Sequence, residues 1–192
     1  MRRCLTAASL ASLAFGLLTI AACGNSTGLP TGQQNVIDTV SLYALDGTAL
    51  DLPSAFRVVK PHAVRTDLES DFDFAFNITP AGQAVLLPTG ALHLGIGSGI
   101  DTVTASFDAI TVAPGGPYID SLPVPVHSGT VAVVHSTPIS SSAASVCLTG
   151  IGYFYAKLQV LAIDSIARRI DLQVLANQNC GYRSLAPGFP TK

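Results

Sequence analysis

Between residues 153 and 177 the chain alternates apolar and polar side chains twice in succession, and this constrains the fold more than any other stretch. Phe154, Leu158 and Val160 are set against Lys157 and Gln159; beyond residues 165–168, Ile170, Leu172 and Val174 are set against Asp171 and Gln173. A period of two sends successive side chains to opposite faces of an extended strand. Two such runs joined by a short bridge therefore predict an antiparallel hairpin, one face buried and the other polar. A helix over residues 157–169 is the alternative, since Ala, Leu, Lys, Gln and Arg are good helix formers. Period two on both arms favours the hairpin.

Residues 71–78 carry the clearest single strand: Phe72, Phe74, Phe76 and Ile78 on one face, Asp71, Asp73, Ala75 and Asn77 on the other. Burying each phenylalanine contributes roughly 2–3 kcal/mol, which makes this strand the expected centre of the core. Residues 36–45 read as a strand half-buried on both sides, with Asp46-Gly47 as a turn and residues 48–52 as the returning arm before Pro53. Residues 56–60 form a short strand cut off by Pro61. Residues 83–87 and 91–96 make a hairpin about Pro88-Thr89-Gly90, and residues 100–112 a strand with a bulge or break near Asp108. Residues 118–126 resemble a proline-punctuated edge strand, residues 130–136 a compact apolar one, and residues 137–145 a polar loop. Nine to eleven strands and no convincing amphipathic helix predict an all-β antiparallel sandwich, with a small barrel as the alternative. An outer-membrane barrel is disfavoured, because the alternation does not give a series of ~10-residue strands with aromatic girdles.

Charged residues make up 11% of the chain and hydrophobic ones 48%. The second figure excludes disorder. The first lies well below the usual ~25%, so Ser, Thr, Asn, Gln and Gly must cover much of the surface.

At the amino terminus Arg2 and Arg3 precede an apolar run from Leu5 to Ala22 that closes on small residues before a cysteine, the pattern of an export signal. Ile20-Ala21-Ala22-Cys23 resembles the lipobox of bacterial lipoproteins. The resemblance implies diacylglyceryl transfer to the Cys23 thiol, cleavage between Ala22 and Cys23, and fatty acylation, for example with palmitate, of the new amino terminus. An ordinary cleaved signal and an uncleaved helix are the competing readings, and the run is about long enough to span a bilayer. Two or three acyl chains would make attachment effectively permanent. Gly24 stands where an aspartate tends to retain such lipoproteins at the inner membrane, so the resemblance points to the outer membrane of a cell that has both. Residues 1–22 are then a leader, residues 23–35 a lipidated start and flexible Gly/Ser/Thr/Pro-rich tether, and residues 36–192 one β-domain. After cleavage eight basic residues face twelve acidic ones, a net charge of −4 with no basic stripe, which disfavours a nucleic-acid partner. The membrane, through the lipid, is the expected partner, with an envelope protein or glycan beside it.

On the same resemblance Cys4 leaves with the leader and Cys23 takes the lipid, which leaves Cys147 and Cys180. In an exported chain they are expected to form a disulfide, closing a 34-residue loop across the open end of the long hairpin. Loop-closure entropy puts that bridge at about 3–4 kcal/mol.

Chemistry-bearing residues are sparse. Asp67, Glu69, Asp71 and Asp73 fall at period two, so an extended backbone would align four carboxylates; the readings are a Ca²⁺ edge or a solvated face opposite the phenylalanines. His62, His93, His127 and His135 have no metal-ligand spacing. Gly97-Ser98-Gly99 is not a nucleophile elbow, His127-Ser128 is not a triad, and the glycines at 95, 97 and 99 read as turn residues. Tyr153 and Tyr155, with Tyr182 near in sequence, are a candidate aromatic strip for sugar rings or a protein partner. The expectation is a membrane-anchored, non-enzymatic envelope lipoprotein without cofactor, structural or adhesive in role. A ligand- or glycan-binding lipoprotein is the alternative, and a hydrolase is less favoured.

Overall fold

The computed structural model describes residues 32–95, 97–139 and 152–190. The leader, Cys23 with its cleavage site, tether residues 24–31 and Cys147 lie outside the described residues. Among the described residues there are ten strands: β1 Val36–Tyr43, β2 Ala55–Arg57, β3 His62–Val64, β4 Phe74–Ile78, β5 Ala84–Pro88, β6 Gly99–Val103, β7 Val124–Pro125, β8 Val131–His135, β9 Tyr155–Asp164 and β10 Arg169–Asn177. They form two five-stranded antiparallel sheets, ordered β1-β10-β9-β8-β6 and β3-β2-β4-β5-β7. The fold is a β-sandwich. Its main core joins Leu42, Ile100, Leu158, Ile170 and Leu172 of the first sheet to Phe56, Phe74, Phe76, Ile78 and Leu86 of the second.

The long hairpin is β9 and β10. Asp164 builds its turn, with Oδ1 accepting from Ile166 N at 2.9 Å and Ala167 N at 2.8 Å. Arg168 then adopts φ 52 and fastens that turn to the other sheet, Nη2 donating to Ile78 O at 2.8 Å. A register shift beside Asp171 and Leu172 leaves Leu161 unpaired and 46% exposed, a bulge that the alternation alone does not mark.

Several expected pairings are replaced. β1 does not fold back on residues 48–52; it pairs along its whole length with β10. Residues 44–53 instead carry the chain between sheets, with Ala44 N donating to Arg168 O at 2.8 Å and Leu45 N to Phe76 O at 3.0 Å, while Leu50 stays 78% exposed. β2 ends at Arg57, and Pro61 sits in the turn to β3. β5 pairs with β4 and β7, not with residues 91–96; Thr89–Leu92 is a 3-10 turn. The break expected near Asp108 comes earlier, where β6 ends at Val103. The proline-punctuated segment contributes only the two-residue β7, which is indeed an edge.

Both faces read as polar turn out to be covered in part, while Asp71 stays exposed. Phe72 leaves the row of Phe74, Phe76 and Ile78 and packs with Ala55, Val64 and Ala75 on the opposite face of the second sheet. Asp73, in the bend just before β4, is 3% exposed. Its Oδ2 accepts from Val58 N at 2.6 Å, its Oδ1 from Thr137 N at 2.8 Å, and its backbone carbonyl accepts from the Ser98 hydroxyl. On the first sheet, the segment after β6 crosses the outer face, where Phe107, Ile110 and Ala113 pack with Val131, Val133, Leu175 and Leu185. Lys157 is trapped beneath it, 1% exposed, with Nζ donating to Phe107 O at 2.8 Å and Ile110 O at 2.9 Å and lying 4.5 Å from the centre of the Phe107 ring. Burial holds its pKa below the ordinary lysine value, with Asp108 opposing. The ammonium satisfies Ile110 O and gives Phe107 O a second, shorter donor beside Ile110 N at 3.4 Å.

The carboxy-terminal residues return to the start of β1. Asn177 Nδ2 donates to Ser184 O at 2.8 Å, and Leu185 N donates to Thr111 O at 2.7 Å. Among the described residues no helix is long and apolar enough to cross a membrane.

Candidate functional site

Tyr153 and Tyr155 flank Phe154, which is 1% exposed and belongs to the main core. Alternation therefore turns both tyrosines to the outer face of the first sheet. Antiparallel register places His135 of β8 directly opposite Tyr155 on one side and Gly99 of β6 on the other. Tyr118 occupies the space above Gly99: a Cβ there would stand 2.5 Å from His135 Nε2 and 2.8 Å from Tyr118 Cβ. Exchange of backbone bonds between Ile119 and Ile100, at 2.8 and 2.9 Å, holds that segment on the β6 edge.

The result is a continuous row of rings. Tyr118 and His135 meet edge to face with centroids 4.7 Å apart, His135 and Tyr153 likewise at 4.8 Å, and Tyr153 and Tyr155 tilt together at 6.4 Å. All four are half-buried. His135 Nδ1 lies 2.9 Å from Ser136 O, and a carbonyl only accepts, so in the neutral ring Nδ1 carries the proton and Nε2 is left as an acceptor. Burial lowers the His135 pKa, partly offset by that carbonyl and by Asp120, which favours the neutral ring at neutral pH. Burial raises the Tyr118 pKa, with Tyr155 and Asp101 adding to it and Arg183 opposing. Tyr155 is raised by burial as well, again against Arg183. The Arg183 guanidinium beside these phenols donates from Nε to Ala113 O at 3.0 Å. The row thus sets ring faces and edges on the outer side of the first sheet, with the Tyr118 hydroxyl donating to Pro114 O at 2.8 Å.

Tyr182 lies in the turn after β10, where its N donates to Asn179 O and its O accepts from Asn177 Nδ2. His135 and Tyr118 were not legible as members of the row. The signal that finds them is strand register, not spacing.

The four carboxylates expected to align are instead split among different partners, two of them sharing one arginine. Asp67 pairs with Arg65 at 2.7 Å, and that hydrogen bond holds its pKa below the ordinary value. Glu69 and Asp71 share Arg57 at 3.1 and 2.5 Å, and Asp73 is buried as described. Residues 66–68 form a turn, so the extended backbone that would align them is interrupted. Among the described residues no group of three or more His, Cys, Asp or Glu side chains is placed to hold a metal ion. His62 meets Lys60 O and Glu69, while His127 Nδ1 meets Ser128 O. Ser98 is fully buried between Asp73 and Thr89. Gly97 and Gly99 allow close approach of Thr137 and His135 rather than positive-φ turns.

An open cleft of about 620 Å³ lies at the other end of β8, its wall including Thr102, Thr104, Ser106, His127, Thr130 and Gln159. It holds no carboxylate and no cation.

No protein-family model matches this chain, and neither does any curated protein sequence.

Proposed function

We propose that the chain is an envelope lipoprotein, acylated at Cys23 after cleavage behind Ala22, whose β-sandwich is a non-enzymatic adhesive or structural module. The leader sequence supports the anchor, and Gly24 favours the outer membrane where there are two. Cys180 packs against the main core just beyond β10, a position that suits a bridge to Cys147 across the hairpin's open end. The observation that carries the contact role is the row Tyr118, His135, Tyr153 and Tyr155 on the outer face of the first sheet. Its chemistry favours one refinement of this reading, that the partner presented to the row is a glycan.

Mass spectrometry of protein extracted from membranes tests the anchor, the cleavage site and the disulfide together. An intact leader, or a Cys23 without acyl mass, would sink the anchor. The glycan reading is tested by tyrosine emission, since the chain has no Trp and three of its five Tyr residues lie in the row. Chito-oligosaccharide and peptidoglycan fragments are expected to change that emission, and Tyr155→Ala to abolish the change. Binding that survives Tyr155→Ala removes the row from the account.

A further inference from the structure

The described chain begins at Gly32, and within four residues it is fastened to the domain. Asn179 Nδ2 donates to Gln33 O at 2.8 Å, and Gln33 N donates to Asn179 Oδ1 at 3.3 Å. Asn35 and Gly188 exchange backbone bonds of 2.8 and 3.0 Å, while Asn35 Nδ2 donates to Ser184 O at 3.1 Å and Ala186 O at 2.9 Å. Asn35 is 2% exposed, so its side chain points inward and alternation turns Val36 outward. The antiparallel bridge of Asn35 to Gly188 applies the same alternation to Pro187 and Phe189. Val36 is 66% exposed and Phe189 62%, with Pro187 exposed as well. Other exposed apolar residues, such as Leu50, Leu68 and Ile166, lie on separate loops. Among the described residues this group, with the less exposed Ile37 beside it, sits where the chain arrives from Cys23.

We infer that Val36, Pro187 and Phe189 form a second membrane contact, seated in the headgroup region of the bilayer that holds the lipid. The inference rests on the anchor reading above. Residues 24–31 are eight in number, and eight residues reach at most ~30 Å, so this end of the domain is kept within about its own width of the surface. Affinity for the bilayer interface grows with the apolar area buried there, and two large side chains alone bind weakly. A short tether raises the effective concentration into the millimolar range, where a weak contact persists. The opposite end of the β1–β10 ladder carries the 165–168 turn, where Ile166 is 95% exposed and faces away from the anchored end.

Because the chain has no Trp, Phe189→Trp supplies a single indole at the contact and Ile166→Trp a single indole at the far end. With the acylated protein in vesicles, emission from position 189 is expected to shift to the blue and be quenched by brominated acyl chains, while emission from position 166 does neither. A second preparation separates the two premises. A chain starting at Gly24 keeps every described element and, carrying an amino-terminal hexahistidine on nickel-chelating vesicles, is tethered without acylation. Quenching at position 189 there supports the contact even if mass spectrometry finds no lipid on Cys23. Lack of quenching in both preparations overturns the contact and leaves the anchor standing where the acyl mass is found. A blue shift that grows with protein concentration in the absence of vesicles assigns the face to a second copy of the chain, and overturns the inference too.

Discussion

Replacing Asp73 by Asn isolates the junction on which both sheets depend. Both carboxylate oxygens accept backbone N–H groups, from Val58 and from Thr137, and the residue is 3% exposed. An amide has one acceptor, so Asp73→Asn turns an NH₂ toward one of those donors and leaves a buried N–H without a partner, at a cost of about 1–3 kcal/mol. The variant also escapes the cost of burying a charge, so a net loss of about 2 kcal/mol at neutral pH is expected, or ~4–8 °C in Tm for a domain this size. Burial raises the Asp73 pKa, opposed by the two backbone donors; Asp71 raises it further and Arg57 opposes. Between its ordinary value and that raised value the folded state binds more protons than the unfolded one. The contribution of Asp73 to stability therefore falls as pH rises through that window and recovers on acidification. Only the wild type titrates at this position, so the gap between the two proteins should widen as pH drops from neutral into the carboxylate range. Urea unfolding of both proteins at several pH values reads this directly. Equal stability at neutral pH, or a gap that narrows on acidification, refutes the reasoning.

Other substitutions probe the remaining features. Phe74→Ala empties a fully buried site in the main core and should cost about 3–5 kcal/mol by denaturant titration. Lys157→Met removes the donor from Ile110 O and the shorter of two donors from Phe107 O; a loss of about 1–3 kcal/mol is expected, with faster hydrogen exchange over residues 104–113. Gly99→Ala drives a methyl into His135 and Tyr118, so it should weaken glycan binding by the row while β9 and β10 keep their exchange protection. Cys180→Ser should lower Tm under oxidising conditions and make no difference in reductant, as required of a bridge to Cys147.

What the sequence made legible was periodicity, and what it hid was coverage. The β9–β10 hairpin was readable because both arms alternate and Asp164 supplies local turn chemistry. Alternation sends Lys157 outward without saying what lies over it, and it sends Asp73 outward because it does not mark the bend before β4 where the carboxylate turns to Val58 and Thr137. The cover on Lys157 comes from the segment after β6, which has no period of its own. β1 was given a neighbour close in sequence, yet its partner is β10, more than a hundred residues on, and no local pattern announces that pairing. The aromatic strip shows the same division. Tyr153 and Tyr155 followed from spacing, whereas His135 and Tyr118 arrive only through register and through the bare backbone at Gly99.

The fastening of Gln33 and Asn35 also decides how the domain bears a load. A pull arriving through residue 32 along the strand axis first meets the Asn179 and Gly188 bonds, then β1, whose eight residue pairs with β10 lie across the force. Strands loaded in that direction slide rather than peel, so the rungs resist together instead of breaking one after another. On the proposed reading, a module anchored at residue 23 and gripped at the aromatic row is strained through its strongest geometry.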